Sequence, residues 1–151
     1  MRRIAFEQAV LKHQPRPVRR PGRAEVKMVG MAGDKFSEML KTLKKMYAAG
    51  VKITAGTDSP FMTYGLSFHV ELHNFVQAGL SPYQTLQTAT ISAAQAIGVD
   101  KDLGSIEAGK LADLVIVNGD PLKNIKDAMN TEIVFKNGEL YRIDDLLMPA
   151  K

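Results

Sequence analysis

Apolar residues recur at helical spacing from residue 33 onward. Phe36, Met39, Leu40, Leu43, Met46 and Tyr47 fall three or four apart, with Lys41, Lys44 and Lys45 elsewhere around the helix. This predicts an amphipathic helix, with Asp34 as N-cap and Gly50 as its terminator. Val51-Lys52-Ile53-Thr54-Ala55 follows directly and predicts a short strand running into Gly56-Thr57-Asp58-Ser59-Pro60. A second helix is expected from near Ser67 to Gly79, burying Leu72, Phe75 and Val76. Ser81-Pro82-Tyr83-Gln84 then restarts a helix, with Ser as cap, Pro at the first helical position and Gln three residues past the cap. Ser92-Ala93-Ala94-Gln95 repeats that capping spacing before Gly98.

Beyond Gly98 the pattern turns to β. Gly104 and Gly109 suit turns around a short extended piece, and Asp113-Leu114-Val115-Ile116-Val117 is an apolar run of the kind expected for a strand buried on both faces. Residues 132–136 and 139–142 flank Asn137-Gly138, a strong hairpin signal. Three strands make a weak sheet, so they are expected to complete one begun elsewhere. Upstream of the first helix, residues 4–11 could form two helical turns, whereas 14–23, with Pro15, Pro17 and Pro21, reads as irregular. The chain thus divides into a basic lead-in (1–33), a helix–strand–helix stretch (34–98), and a β stretch with its tail (99–151).

Charge and composition narrow the function. The 151 residues carry a formal net charge of +4. The excess sits in residues 1–33, where eight Lys and Arg stand against Glu7 and Glu25. A nucleic-acid face would interleave aromatics with basic residues, but Phe6 is the one aromatic residue there and the prolines break any helical stripe. No nucleic-acid partner is expected. No apolar run approaches the ~20 residues of a membrane span, and Glu7, Lys12 and His13 interrupt any secretory core, so a cytoplasmic location without membrane contact is expected. There is no Cys, hence no disulfide and no thiolate metal site. A closed eight-stranded α/β barrel needs at least ~200 residues, more than this chain has.

Asp58 is the first candidate for chemistry. It lies just past a predicted strand end, the edge where ligands and catalytic side chains collect in α/β folds. A carboxylate there can ligate a metal or take a proton from an attacking water. It can equally cap its own turn. His69-Val70-Glu71-Leu72-His73 places two His at i and i+4, the spacing of a helical zinc pair. Its Glu, however, stands two residues after the first His rather than one, ~200° round the helix, and a third ligand is lacking, so pocket-rim histidines are the better reading. Lys110 and Asp113 need only turn and strand-entry chemistry. Phosphate-loop and nucleophile-elbow motifs are absent, and the eight Met are expected to fill a core.

Taken in order, these motifs resemble the C-terminal third of the metal-dependent amidohydrolase superfamily. The stretches that carry the resemblance are Ala49 to Pro60, His69 to Leu72, Ala78 to Pro82, Ala89-Thr90, Ala94 to Gly98, Leu103 to Val117, Gly119 to Leu122, and the Val134-to-Tyr141 hairpin. Together they span about 34–142.

The resemblance implies an α/β fold comprising a partial TIM-barrel end, with 51–56 as the last strand, followed by short strands of a composite β-sandwich. It implies hydrolysis of C–N bonds in small-molecule amides, cyclic amides or dipeptide-like substrates by metal-activated water, zinc being the expected ion. Asp58 matches the family's carboxylate that ligates the metal and relays the proton, while His69 and Glu71 match a stretch near the substrate pocket. The family's H-x-H, its bridging Lys or Glu and its two later His are missing, so this chain alone is expected to be inactive. The alternative is a non-catalytic assembly module that pairs with itself or with a separate N-terminal chain.

Overall fold

The computed structural model describes residues 3–5, 33–58 and 62–147. In chain order they form β1 (Arg3–Ala5), α1 (Gly33–Ala48), α2 (Leu66–Gln77), α3 (Pro82–Thr88), α4 (Ile91–Ala96), β2 (Leu114–Val117), a 3₁₀ turn (Ile125–Met129), β3 (Thr131–Lys136), β4 (Glu139–Arg142) and α5 (Ile143–Leu147). It is a mixed α/β fragment with one small antiparallel sheet. No described helix is long and apolar enough to cross a membrane.

The helices end much as their sequences predict. At the end of α1, Gly50 takes φ 80°. Its amide donates to the Tyr47 carbonyl at 3.0 Å and the Val51 amide to that of Met46 at 3.0 Å, closing the last turn in a Schellman motif. Asp34 falls inside the first turn rather than capping it, because the helix begins at Gly33. The capping box of α3 is complete: the Gln84 amide donates to Ser81 Oγ at 3.2 Å and the Ser81 amide to Gln84 Oε1 at 2.8 Å. The second expected box does not form. The cap of α4 is Thr90, whose hydroxyl donates back to the Leu86 carbonyl at 2.8 Å, and Ser92 lies within the helix.

Residues 51–55, expected as a strand, belong to no ladder. The reason is physical: β structure needs a neighbouring strand, and among the described residues no strand lies beside this segment. Lys52, Ile53 and Thr54 make no backbone–backbone hydrogen bond there.

The sheet order is β1-β2-β3-β4, antiparallel throughout. Arg3–Ala5 pairs with β2, Ile4 opposite Ile116, so Ile4 and Ala5 are in a strand and not in the expected helix. Residues 6–11 and the proline-rich 14–23 lie outside the described residues. Thus the three expected strands gain a fourth from the chain's beginning. In β2, Val115 and Val117 are buried with Val134 packed against them, while Leu114 and Ile116 are half-exposed. The apolar run is therefore covered on one face, not two.

Asp113 locks the hairpin. It is 3% exposed, accepts from the Asn137 amide at 2.7 Å and pairs with the Lys136 ammonium. Burial would raise its carboxyl, but the Asn137 and Lys136 donors outweigh that and hold it below the ordinary Asp value. Lys110 orders the preceding loop through the Asp100 carbonyl at 2.6 Å and Ser105 Oγ at 2.5 Å, the turn chemistry expected of it.

The helical and β halves meet where the 3₁₀ turn packs on α2 and β2. Leu72 and Phe75 of α2 and Ile125 and Ala128 of the turn are buried, whereas Val76 is half-buried. The methionines among the described residues do not fill this core as expected. Met39 is 67% exposed, and Met46, Met62 and Met129 are also exposed.

Candidate functional site

Two neighbouring elements pin the segment that leads to Asp58. The Ala55 amide donates to the Thr88 carbonyl at the end of α3, 3.1 Å away. The next amide, Gly56, donates to Glu71 Oε2 of α2 at 2.9 Å. A segment with no strand partner is thereby fixed by a helix end on one side and a carboxylate on the other. Below it, Thr88 is 1% exposed and its hydroxyl donates to the Thr85 carbonyl at 2.7 Å.

Asp58, two residues past the pinned amides, is exposed and takes φ 45°. A left-handed backbone costs a non-glycine residue ~1 kcal/mol, and Asp and Asn accept it most readily. Asn137 also has positive φ, 51°, inside an ordinary turn, so the backbone angle does not by itself separate function from turn chemistry. The charge environment adds to it. Burial raises the Glu71 carboxyl above its ordinary value and the nearby Asp58 charge pushes the same way, against the lowering effect of the Gly56 hydrogen bond. Asp58 and Glu71 are therefore electrostatic neighbours, one in water and one half-withdrawn from it.

The histidines lie on the same helix as Glu71. His69 packs edge-on against Phe68, with ring centroids 5.3 Å apart. His73 Nε2 lies 2.9 Å from the Gln77 side-chain amide nitrogen. Among the described residues no three His, Asp or Glu side chains are grouped to hold a metal. A catalytic zinc takes three protein ligands plus water, so the described residues do not fit a metal centre. They offer it the Asp58 carboxylate, just past the segment pinned at Ala55 and Gly56. His13, Ser59 and Pro60 lie outside the described residues.

The sequence pattern pointed to Asp58 but missed the clasp from Glu71 to Gly56. The spacing of His69, Glu71 and His73 did show that Glu71 points away from the face the two histidines share, and it is this direction that takes it to Gly56. A groove of about 660 Å³ opens between α1 and α2, with Met39, Leu43 and Met46 on one wall and Glu71, Asn74 and Phe75 on the other.

Comparison with known proteins gives this site its context. The model of the amidohydrolase family matches residues 3–141, and the chain belongs to that family. It corresponds to the C-terminal portion of such proteins. The match takes in the basic lead-in, in which the motifs alone had shown no resemblance. The chain is 34% identical over 149 residues to imidazolonepropionase of Shouchella clausii, covering 94% of this chain and 31% of that protein. It is 28% identical over 138 residues to 5-methylthioadenosine/S-adenosylhomocysteine deaminase of Thermoanaerobacter pseudethanolicus, covering 73% and 32%. Among solved structures it is similar to a Xaa-Pro dipeptidase with methionine bound in its active site (TM-score 0.65, 38% identity, 68% of this chain and 25% of that one). It is also similar to molinate hydrolase (TM-score 0.63, 27% identity, 72% and 27%). The chain spans about a third of the length of these curated relatives.

Proposed function

We propose that this chain is the C-terminal part of a hydrolase that cleaves C–N bonds in small amide, cyclic amide or dipeptide-like substrates, and that it is inactive alone. Residues 34–98 serve as the closing segment of a TIM barrel, and 99–151 as strands and tail of a β-sandwich built from both chain ends. The pairing of Arg3–Ala5 with Leu114–Val117 supports that last point. One observation carries the site assignment: Asp58 stands at the end of a segment pinned at Ala55 and Gly56, beside the half-buried Glu71. In the whole enzyme Asp58 is the carboxylate this chain contributes for metal ligation and proton transfer. Glu71 holds the Asp58 segment in place, and His69 lies at the substrate rim. The names of the relatives, which include a deaminase, a dipeptidase and a hydrolase, support the C–N reading.

The test is a chimera in which this chain replaces the matching C-terminal portion of the Shouchella clausii relative. Hydrolysis by the folded chimera that is lost in Asp58→Asn supports the assignment, and a folded chimera whose activity ignores that substitution overturns it. The chain alone, supplied with zinc, is expected to turn over no amide.

A further inference from the structure

We infer that Asn118 is a self-modifying site: its side-chain amide is lost spontaneously by attack of the Gly119 backbone nitrogen, and the change loosens the 118–130 loop that joins the helical and β halves. The matching pair Asn137-Gly138 is held unreactive by its hairpin. The site neither rests on the hydrolase reading nor bears on it.

Asparagine followed by glycine is the pair in which this deamidation is least hindered, because glycine has no side chain to shield its nitrogen. The chain has two such pairs, Asn118-Gly119 and Asn137-Gly138, and all four residues are exposed. The glycine nitrogen gives its proton to solvent and bonds to the asparagine Cγ. The bond from Cγ to the side-chain nitrogen then breaks, and that nitrogen takes up a proton and leaves as ammonia. Water opens the resulting cyclic imide at either carbonyl, leaving aspartate or isoaspartate. Ring closure requires the glycine nitrogen to lie on the same side of the asparagine Cα–C bond as Cβ.

The two pairs are held differently. Asn137 and Gly138 have φ 51° and 82°, the two positive angles of a type I′ turn. With ψ about +30° at its first central residue, such a turn keeps the Gly138 nitrogen on the side away from Cβ. The Asn137 amide donates to Asp113 Oδ1 at 2.7 Å and the Gly138 amide to the Ala112 carbonyl at 3.1 Å, so the turn and the attacking nitrogen are both tied down. Asn118 has no left-handed backbone, and neither its side chain nor the Gly119 amide makes a hydrogen bond among the described residues. What opposes rotation there is the bond from Asn130 Nδ2 to the Asn118 carbonyl at 3.1 Å, a neutral exposed contact that water can replace.

The consequence follows from what Asn118 closes. Its amide donates to the Asn130 carbonyl at 2.8 Å, and this bond with the Nδ2 contact shuts the loop that carries the buried Ile125 and Ala128 onto α2. Isoaspartate would put an extra carbon into the backbone at this closure. Either product adds a negative charge two residues from Asp120, where Asp127 Oδ2 already accepts from the Asp120 amide at 2.8 Å. Like charge and added length both work against the closed loop.

The experiment incubates the full 151-residue chain in mildly alkaline buffer, folded and in urea, and follows both asparagines by peptide mass spectrometry. In urea the two should convert at similar rates. In the folded chain Asn118 should convert and Asn137 should lag by about tenfold or more, the effect of one hydrogen bond to a charged acceptor. Asp113→Ala, which cuts the bond to the Asn137 amide, should remove most of that lag and leave the Asn118 rate unchanged. If that variant does not fold, the folded-against-urea comparison of the natural chain decides. Hydrogen exchange at the Asn130 amide, which donates to the Asp127 carbonyl at 3.0 Å, should rise severalfold in the aged chain and in Asn118→Asp but not in Asn118→Gln. An Asn118 that stays intact in the folded chain while converting in urea overturns the site, as does an Asn137 that keeps pace with it. Aged chain and Asn118→Asp that exchange like fresh protein overturn the loosening.

Discussion

Replacing Asp113 probes how the β half is held together. Asp113 is 3% exposed and receives both the Asn137 amide at 2.7 Å and the Lys136 ammonium. Removing one member of a fully buried pair costs ~3–5 kcal/mol. The Lys136 side chain, however, is 41% exposed and can turn to water, so Asp113→Asn should cost roughly 2 kcal/mol. Asp113→Ala also removes the acceptor for the Asn137 amide, a further ~1 kcal/mol. For a chain of this size the two substitutions correspond to shifts of roughly 4–8 °C and 6–12 °C in melting temperature. The pH dependence has a definite sign. Because the folded carboxyl titrates below its ordinary value, its contribution is complete above about pH 4 and is lost as pH falls through the folded value. Urea unfolding followed by circular dichroism at pH 7 and pH 3 should show the wild-type advantage over Asp113→Asn shrinking at the lower pH. A loss below ~0.5 kcal/mol, or a gap that does not change with pH, would refute the reasoning.

Glycine substitutions should separate close approach from backbone freedom alone. A Cβ on Gly104 would meet Ala94 Cβ at 2.7 Å and Ile91 Cα at 2.9 Å, and its φ is +91°, so Gly104→Ala should lower stability by about 3 kcal/mol. At Gly50 nothing lies within 4 Å, and Gly50→Ala should cost ~1 kcal/mol. Equal melting shifts for the two would contradict this. Glu71→Ala should raise amide exchange at Gly56 by about tenfold, the value of one charge-assisted hydrogen bond, while Glu71→Gln, which retains an acceptor, should stay near wild type. Unchanged exchange in Glu71→Ala would remove the clasp from the account.

The parts of the fold readable in the sequence were those whose causes are local. The Ser81 capping box needs four consecutive residues, the Gly50 terminator one helix end, and the Asn137-Gly138 turn two positive φ angles. Each formed where expected. Apart from the helix starts at Asp34 and Ser92, the misreadings involve partners distant in sequence or outside the described residues. Residues 51–55 have strand composition but no neighbour to pair with. Leu114 and Ile116 look like core residues yet stay half-exposed, and Met39 and Met46 lie exposed. The Thr90 cap displaced Ser92 because the turn after α3 set the start of α4. As for the candidate site, the position of Asp58 after an apolar β-rich run was readable from residue types. Its link to Glu71 was not, since Gly56 and Glu71 are fifteen residues apart and only the packing of α2 brings them together.

The ligand count at Asp58 can be measured directly. The purified 151-residue chain and Asp58→Asn would be equilibrated with equimolar zinc, desalted, and assayed for bound metal and amide hydrolysis. The expected result is far less than one zinc per chain and no turnover in either protein. One retained zinc per wild-type chain, with turnover that disappears in Asp58→Asn, would contradict the view that its companions come from elsewhere.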